Sequence, residues 1–250
     1  MLLGPKTGNF RKPIPVSAVS LIQGYTFYLF ARKMASEIFN ATLPISVGSA
    51  ELPGDLIIPE NARGLVIFSH GSGSSRLSSR NRFVAKYLQD QGFATLLFDL
   101  LTPEEDQDYQ KRFEIPLLTE RLVKVTEWAF QQDKTSNFSV GYFGASTGAA
   151  SALGAAATLG KKVKAVVSRG GRPDMAIPVL ANVSAPVLLL VGSLDVPVID
   201  LNQQAYDRIP GTKEMKLIPG ATHLFEEPGT LEQVSEEAAN WFRKYLAINA

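Results

Sequence analysis

The sequence predicts an α/β fold: a doubly wound, mostly parallel sheet flanked by helices. Two observations carry this. Runs of about five or six apolar residues alternate with stretches of helical periodicity, and several of those runs end directly in Gly- or Ser-rich loops. The chain has 250 residues, enough to bury a large core in one α/β unit.

The elements follow in order. Residues 64–69, Gly-Leu-Val-Ile-Phe-Ser, read as a buried strand that runs into the small-residue loop His70-Gly71-Ser72-Gly73-Ser74-Ser75. A helix is expected over 80–91, a strand over 94–98, and then a loop from 101 to 116 whose Glu104, Glu105, Asp106 and Asp108 read as a solvated acidic surface. Residues 117–132 are helical in pattern and 138–143 strand-like. An Ala-rich helix is expected over 147–159 and a strand over 164–167. Residues 185–191 form a continuous apolar run typical of a strand covered on both faces. A helix over 201–208, a strand over 214–218 and a helix over 230–246 complete the set. In the last helix Leu231, Val234, Ala238, Trp241, Phe242 and Tyr245 recur at helical spacing, the mark of a core-facing stripe. Fewer than twenty residues separate Val167 from Val187, so no large cap domain fits there and the site should be fairly open.

Residues 1–45 read as an N-terminal extension, and 46–250 as the catalytic domain. Within the extension, residues 16–30 are rich in apolar and aromatic side chains between Arg11-Lys12 and Arg32-Lys33. The stretch is short for a bilayer span and is interrupted by Gln23 and Gly24. It reads as a helix that packs on the core or forms a homodimer contact, with an interfacial membrane helix as the other reading.

The chemistry-bearing motif is Gly144-Ala145-Ser146-Thr147-Gly148, set between a strand and an Ala-rich helix. In so tight a turn the backbone at the serine is strained, and glycines two positions away on each side leave room for an exposed Oγ. Ser146 therefore reads as a nucleophile, with the Thr147 N–H at a helix N-terminus as an oxyanion donor. The order serine, carboxylate, histidine is completed downstream. Asp195 follows the 185–191 strand, with Asp174 and Asp99 as rivals that also follow strand-like runs. Of the two histidines only His223 follows Asp195. Its Nε2 is suited to take the serine proton while Nδ1–H is held by the carboxylate. The His70 loop can bring a second backbone N–H to the substrate carbonyl, from Gly71 or Ser72. It lacks the G-x-x-x-x-G-K-[ST] spacing of a phosphate loop. Arg169 and Arg172 lie at the carboxyl edge of the sheet and, with His70, are candidates for substrate contact. Either arginine would suit an anionic ester or lactone, or else a salt bridge to Asp174 or Glu226.

Four blocks carry a resemblance: residues 68–76, 141–148, 168–174 and 220–228. Through them the chain resembles the α/β-hydrolase superfamily and, within it, the dienelactone-hydrolase-like proteins. The nearest likeness is to the bacterial hydrolase modules found joined to phosphoribosyltransferases. Dienelactone hydrolases carry cysteine at the nucleophile position, whereas this chain has serine there and no cysteine at all. The resemblance thus implies serine esterase chemistry on a small ester or lactone, with no cofactor and no metal. The other readings of the same apparatus are a thioesterase or acyltransferase and a non-catalytic binding module.

Composition agrees. Twenty-five basic residues against 24 acidic ones give a formal net charge of +1, which argues against nucleic acid as a partner. The absence of cysteine excludes disulfides and thiolate zinc sites and fits a cytoplasmic setting.

Overall fold

The computed structural model describes Met1 and residues 37–246. Among these residues the chain forms an eight-stranded sheet in the order β1-β2-β4-β3-β5-β6-β7-β8. Strands β1 (Glu37–Val47) and β2 (Ala50–Pro59) make an antiparallel hairpin, and β2 runs antiparallel to β4 (Ala94–Phe98). The remaining pairings are parallel, through β3 (Leu65–Ser69), β5 (Val140–Ala145), β6 (Val163–Arg169), β7 (Val187–Gly192) and β8 (Lys213–Ile218). Helices α1 (Ser79–Asp90), α2 (Ile115–Gln131), α3 (Thr147–Leu159), α4 (Val196–Arg208) and α5 (Thr230–Tyr245) flank the sheet.

Strand periodicity separates the core into two layers. Leu65 and Ile67 of β3 join Leu122 and Val125 of α2 and Ala150 and Leu153 of α3. Val66 and Phe68, the alternate residues, join Val84 and Leu88 of α1 and Trp241 and Phe242 of α5. A strand covered on both sides must be apolar throughout, which is why β3, β4, β5 and β7 are buried at every position. Helix α3 lies close against its neighbours because its residues are small. A Cβ added at Gly154 would come within 2.7 Å of Thr119 Oγ1 on α2.

Strand β3 has β4 on one side and β5 on the other, so successive crossovers leave it in opposite directions. The crevice at the carboxyl ends of β3 and β5 is the point where such sheets bind ligands.

Three features depart from the sequence reading. Residues 37–45, read above as the end of the extension, are part of β1 and pair with β2; residues 2–36, with the apolar stretch 16–30, lie outside the described residues. Helix α4 begins at Val196 rather than near 201, because Pro197 sits in its first turn, where no N–H is needed. The acidic loop is partly ion-paired, Glu105 with Arg121 (2.7 Å) and Asp106 with Arg112 (2.9 Å).

Candidate active site

Ser146 sits between β5 and α3 with φ 51° and ψ −123°. A non-glycine residue held there stores of order 1–3 kcal/mol of strain. The surrounding hydrogen bonds impose it: the Ser146 N–H donates to Arg169 O (3.2 Å), and Ser146 O accepts from Ala149 N (3.0 Å) and Arg172 N (3.0 Å). The flanking glycines are steric requirements. A Cβ on Gly144 would lie 2.6 Å from Ala149 Cα, and one on Gly148 would run into the carbonyls of Ser69 and His70.

Asp195 occupies the position before the first turn of α4, at the carboxyl end of β7, without a side-chain bond to that helix, and His223 stands in the loop after β8. Their loops are stitched together by Leu194 N–H to Ala221 O (3.0 Å) and Gly220 N–H to Ser193 Oγ (2.8 Å). His223 Nδ1 lies 2.7 Å from Asp195 Oδ2. An ionised carboxylate only accepts, so Nδ1 carries the hydrogen, and in the neutral ring Nε2 is the nitrogen with the lone pair. Glu227 shapes the histidine loop by accepting from the Thr222 N–H (3.1 Å) and hydroxyl (2.6 Å), and these bonds lower its pKa. Phe225, two residues after the histidine, is buried at φ 56°.

Ser146 and His223 line one cavity of about 250 Å³, with Gly71, Ser72, Arg80, Asn81 and Arg169 also at its wall. Among the described residues no hydrogen bond joins Ser146 Oγ to His223. Such bonds commonly tighten only when substrate is bound.

The two rival carboxylates are engaged elsewhere. Asp99 accepts from Arg76 Nη1 (2.5 Å) and the Arg76 N–H (2.7 Å), and Asp174 takes both forks of Arg172 (2.9 and 2.8 Å). The Arg172 guanidinium is therefore committed to an ion pair, which raises its pKa.

His70 has no nitrogen left for substrate. Its Nε2 accepts the Leu100 N–H (3.0 Å), which puts the hydrogen on Nδ1, and Nδ1 donates to Gly71 O (2.9 Å). Burial pushes its pKa below the ordinary 6.5. The consequence is positional. In a trans peptide the C=O and the following N–H point opposite ways, so holding the Gly71 carbonyl against His70 turns the Ser72 N–H toward the elbow, where it donates to Thr147 Oγ1 (2.8 Å). Gly71 is packed tightly, since a Cβ there would stand 3.0 Å from Ser146 Cβ.

A larger cavity, about 380 Å³, lies between the β1–β2 hairpin and α1 and is lined by Thr42, Asp55, Arg82, Lys86 and Gln89. It shares no lining residue with the Ser146 cavity. Among the described residues no cluster of His, Asp and Glu is arranged to hold a metal ion, and no helix is long and apolar enough to cross a membrane.

Sheet order, flanking helices and a serine elbow at the switch point define a protein of the α/β-hydrolase fold. The chain belongs to the dienelactone hydrolase family, whose family model matches residues 52–246. It is 50% identical to a dienelactone hydrolase from Anabaena variabilis of known structure, covering 83% of this chain and 98% of that one with a TM-score of 0.81. Two Mycobacterium tuberculosis proteins, from strains CDC 1551 and H37Rv, are each 55% identical over 202 residues and are proposed by name to be phosphoribosyl transferases. The match takes in 81% of this chain but 46% of each of theirs, so the chain spans less than half their length. The fold alone is shared with Est1E from Butyrivibrio proteoclasticus, at 17% identity, a TM-score of 0.70 and coverage of 81% and 98%. Family and neighbours together support a hydrolase.

Proposed function

We propose that the chain is a serine hydrolase that cleaves a carboxylic ester or lactone through an acyl-enzyme. The observation that carries this is the 2.7 Å pairing of His223 Nδ1 with Asp195, which leaves Nε2 as a base in a cavity bordered by the strained Ser146. Ser146 Oγ attacks the carbonyl carbon as its proton passes to Nε2. The resulting oxyanion accepts from the Thr147 N–H and from the Ser72 N–H, which it takes over from Thr147 Oγ1. Collapse breaks the bond to the leaving oxygen, which receives the proton from His223. In a lactone that oxygen stays tethered and the product is a hydroxy acid. Water then attacks the acyl group, with His223 again taking a proton, and Ser146 is regenerated. Asp195 orients the imidazole and stabilises its cation.

Steady-state hydrolysis of a panel of 4-nitrophenyl esters and aryl lactones tests this reading. Turnover by the wild type that disappears in Ser146→Ala supports it. Turnover that survives in the variant, or is absent from the wild type across the panel, contradicts it.

A further inference from the structure

Arg169 ends β6 beside the elbow, paired in register with Ala145, and its side chain is only 7% exposed. A buried guanidinium normally has a carboxylate partner, because a charge taken out of water without one is strongly destabilising. Among the described residues Arg169 has no such partner. Its Nη2 reaches the neutral Asn81 Oδ1 at a long 3.3 Å, Phe225 presents a ring 5.6 Å from Cζ, and Nε is sealed from solvent with nothing to donate to. Burial, together with repulsion from Arg80, lowers its pKa to about 10, so it stays cationic at neutral pH.

Arg80 carries part of the same deficit, an unpartnered Nε, although its charge has a carboxylate. Nη1 pairs with Glu226 (2.9 Å), a side chain 62% exposed to solvent, and Nε is buried without a partner. Both arginines and Asn81 border the cavity that holds Ser146 and His223, along with Ser74 and Ser78. Ser78 caps α1, and the first turn of that helix contains Arg80 and no acidic residue. The positive end of a twelve-residue helix therefore meets an unpaired buried cation in the same recess.

We propose that Arg169, Arg80 and Asn81, with the N-terminus of α1, form a subsite for a phosphoryl group carried by the substrate ester. This deepens the esterase reading and rests on it. The donor count favours phosphoryl over carboxylate. A carboxylate brings one charge and two oxygens, whereas two guanidiniums, an amide and a helix end offer more donors and more positive charge than it satisfies. A phosphoryl dianion brings three oxygens and charge enough to meet Arg169 and to compete with the solvent-exposed Glu226 for Arg80. Arg172, three residues on, does not contribute, since Asp174 neutralises it.

The test has a kinetic arm and a binding arm. In the first, kcat/KM is measured for 4-nitrophenyl esters of 3-phosphonopropanoic acid, succinic acid and the neutral butanoic acid. The phosphono ester is expected to exceed the butanoate by about 10- to 100-fold, the range of charged hydrogen bonds, and that ratio is expected to fall to about 1 in Arg169→Met, which removes them. Equal rates for the three esters, a succinyl ester that outranks the phosphono one, or a ratio that survives in Arg169→Met would each overturn the proposal. Arg80→Gln, at the cavity rim, is expected to cut the ratio by roughly 3- to 10-fold and decides the matter if the buried variant does not fold; an unchanged ratio there counts against the subsite. In the second arm phenylphosphonate is titrated calorimetrically into Ser146→Ala protein, with benzoate as the matched carboxylate. Saturable phenylphosphonate binding that weakens in the Ser146→Ala/Arg80→Gln double variant supports the subsite even if no ester is turned over, which separates failure of the esterase reading from failure of this one. No binding, or equal binding of benzoate, overturns it.

Discussion

The two core layers and the carboxyl rim of the sheet obey different rules. Several buried polar groups of the layers are paired: the Tyr142 hydroxyl meets Thr126 Oγ1 (2.7 Å), Thr126 also donates to Leu122 O (2.7 Å), and Gln89 donates to Thr95 Oγ1 (2.7 Å). The rim gathers exceptions, although Arg121 Nε on α2 and Asn202 Oδ1 on α4 are also buried without partners. Ser146 and Phe225 carry positive φ without being glycine, and Arg169 Nε, Arg80 Nε and Ser168 Oγ are buried without partners. Local rules are broken together where three loops converge, the pattern expected of a site that trades stability for chemistry.

The variants that separate rim from layers begin with the relay. Ser146→Ala or His223→Ala is expected to lower kcat on a responsive ester by about 10⁴- to 10⁶-fold, and Asp195→Asn by about 10⁴-fold, with thermal melting little changed. His70→Ala comes next. Losing the group that turns the Ser72 N–H should lower kcat by about 10²-fold while KM moves less, as for a misaligned oxyanion donor.

His70 also gives the rim a pH signature. Burial holds its folded pKa below 6.5, so on acidification the unfolded chain takes up this proton first. The His70 contribution to stability is complete above about pH 6.5 and declines as the pH falls through and below it. Melting curves at neutral and mildly acidic pH should show this slope in the wild type and less of it in His70→Ala.

Ser146→Gly sharpens the contrast differently. Glycine tolerates φ 51°, so this variant should lose activity like Ser146→Ala yet melt a few degrees higher, for a net gain of about 1 kcal/mol. A melting point equal to that of Ser146→Ala would mean the elbow stores no strain. The smallest effect is expected for Arg172→Ala. Its pair with Asp174 is partly exposed, and such pairs contribute about 0–1 kcal/mol, so stability and turnover should stay close to wild type.

The parallel strands β3, β4, β5 and β7 were legible because each is a nearly continuous apolar run, and Ser146, Asp195 and His223 were singled out because each follows a strand-like run. The β1–β2 hairpin was not. Pro44 pairs opposite Pro53, and two prolines argue against strand, although the alternation of Leu43, Ile45 and Val47 carried the signal. The roles of the two arginines were only partly legible: a salt bridge to Asp174 was one reading, but not which arginine would make it. Arg169 and Arg172 are three residues apart, and only the fold decides that one meets Asp174 while the other is enclosed beside the helix α1 terminus. The double bonding of His70 depends on Leu100, brought to it by β4, and spacing alone gives no sign of it. Sequence shows which groups reach the rim; packing decides which of them remain free.

The central claim is that Ser146 is made nucleophilic by a histidine held by Asp195. Intact-mass and peptide mapping after treatment with a fluorophosphonate probe tests it most directly. The account predicts a single adduct on Ser146 in the wild type, none in Ser146→Ala, and labelling slowed by orders of magnitude in His223→Ala. An adduct on another residue, or His223→Ala protein that labels at the wild-type rate, would contradict it.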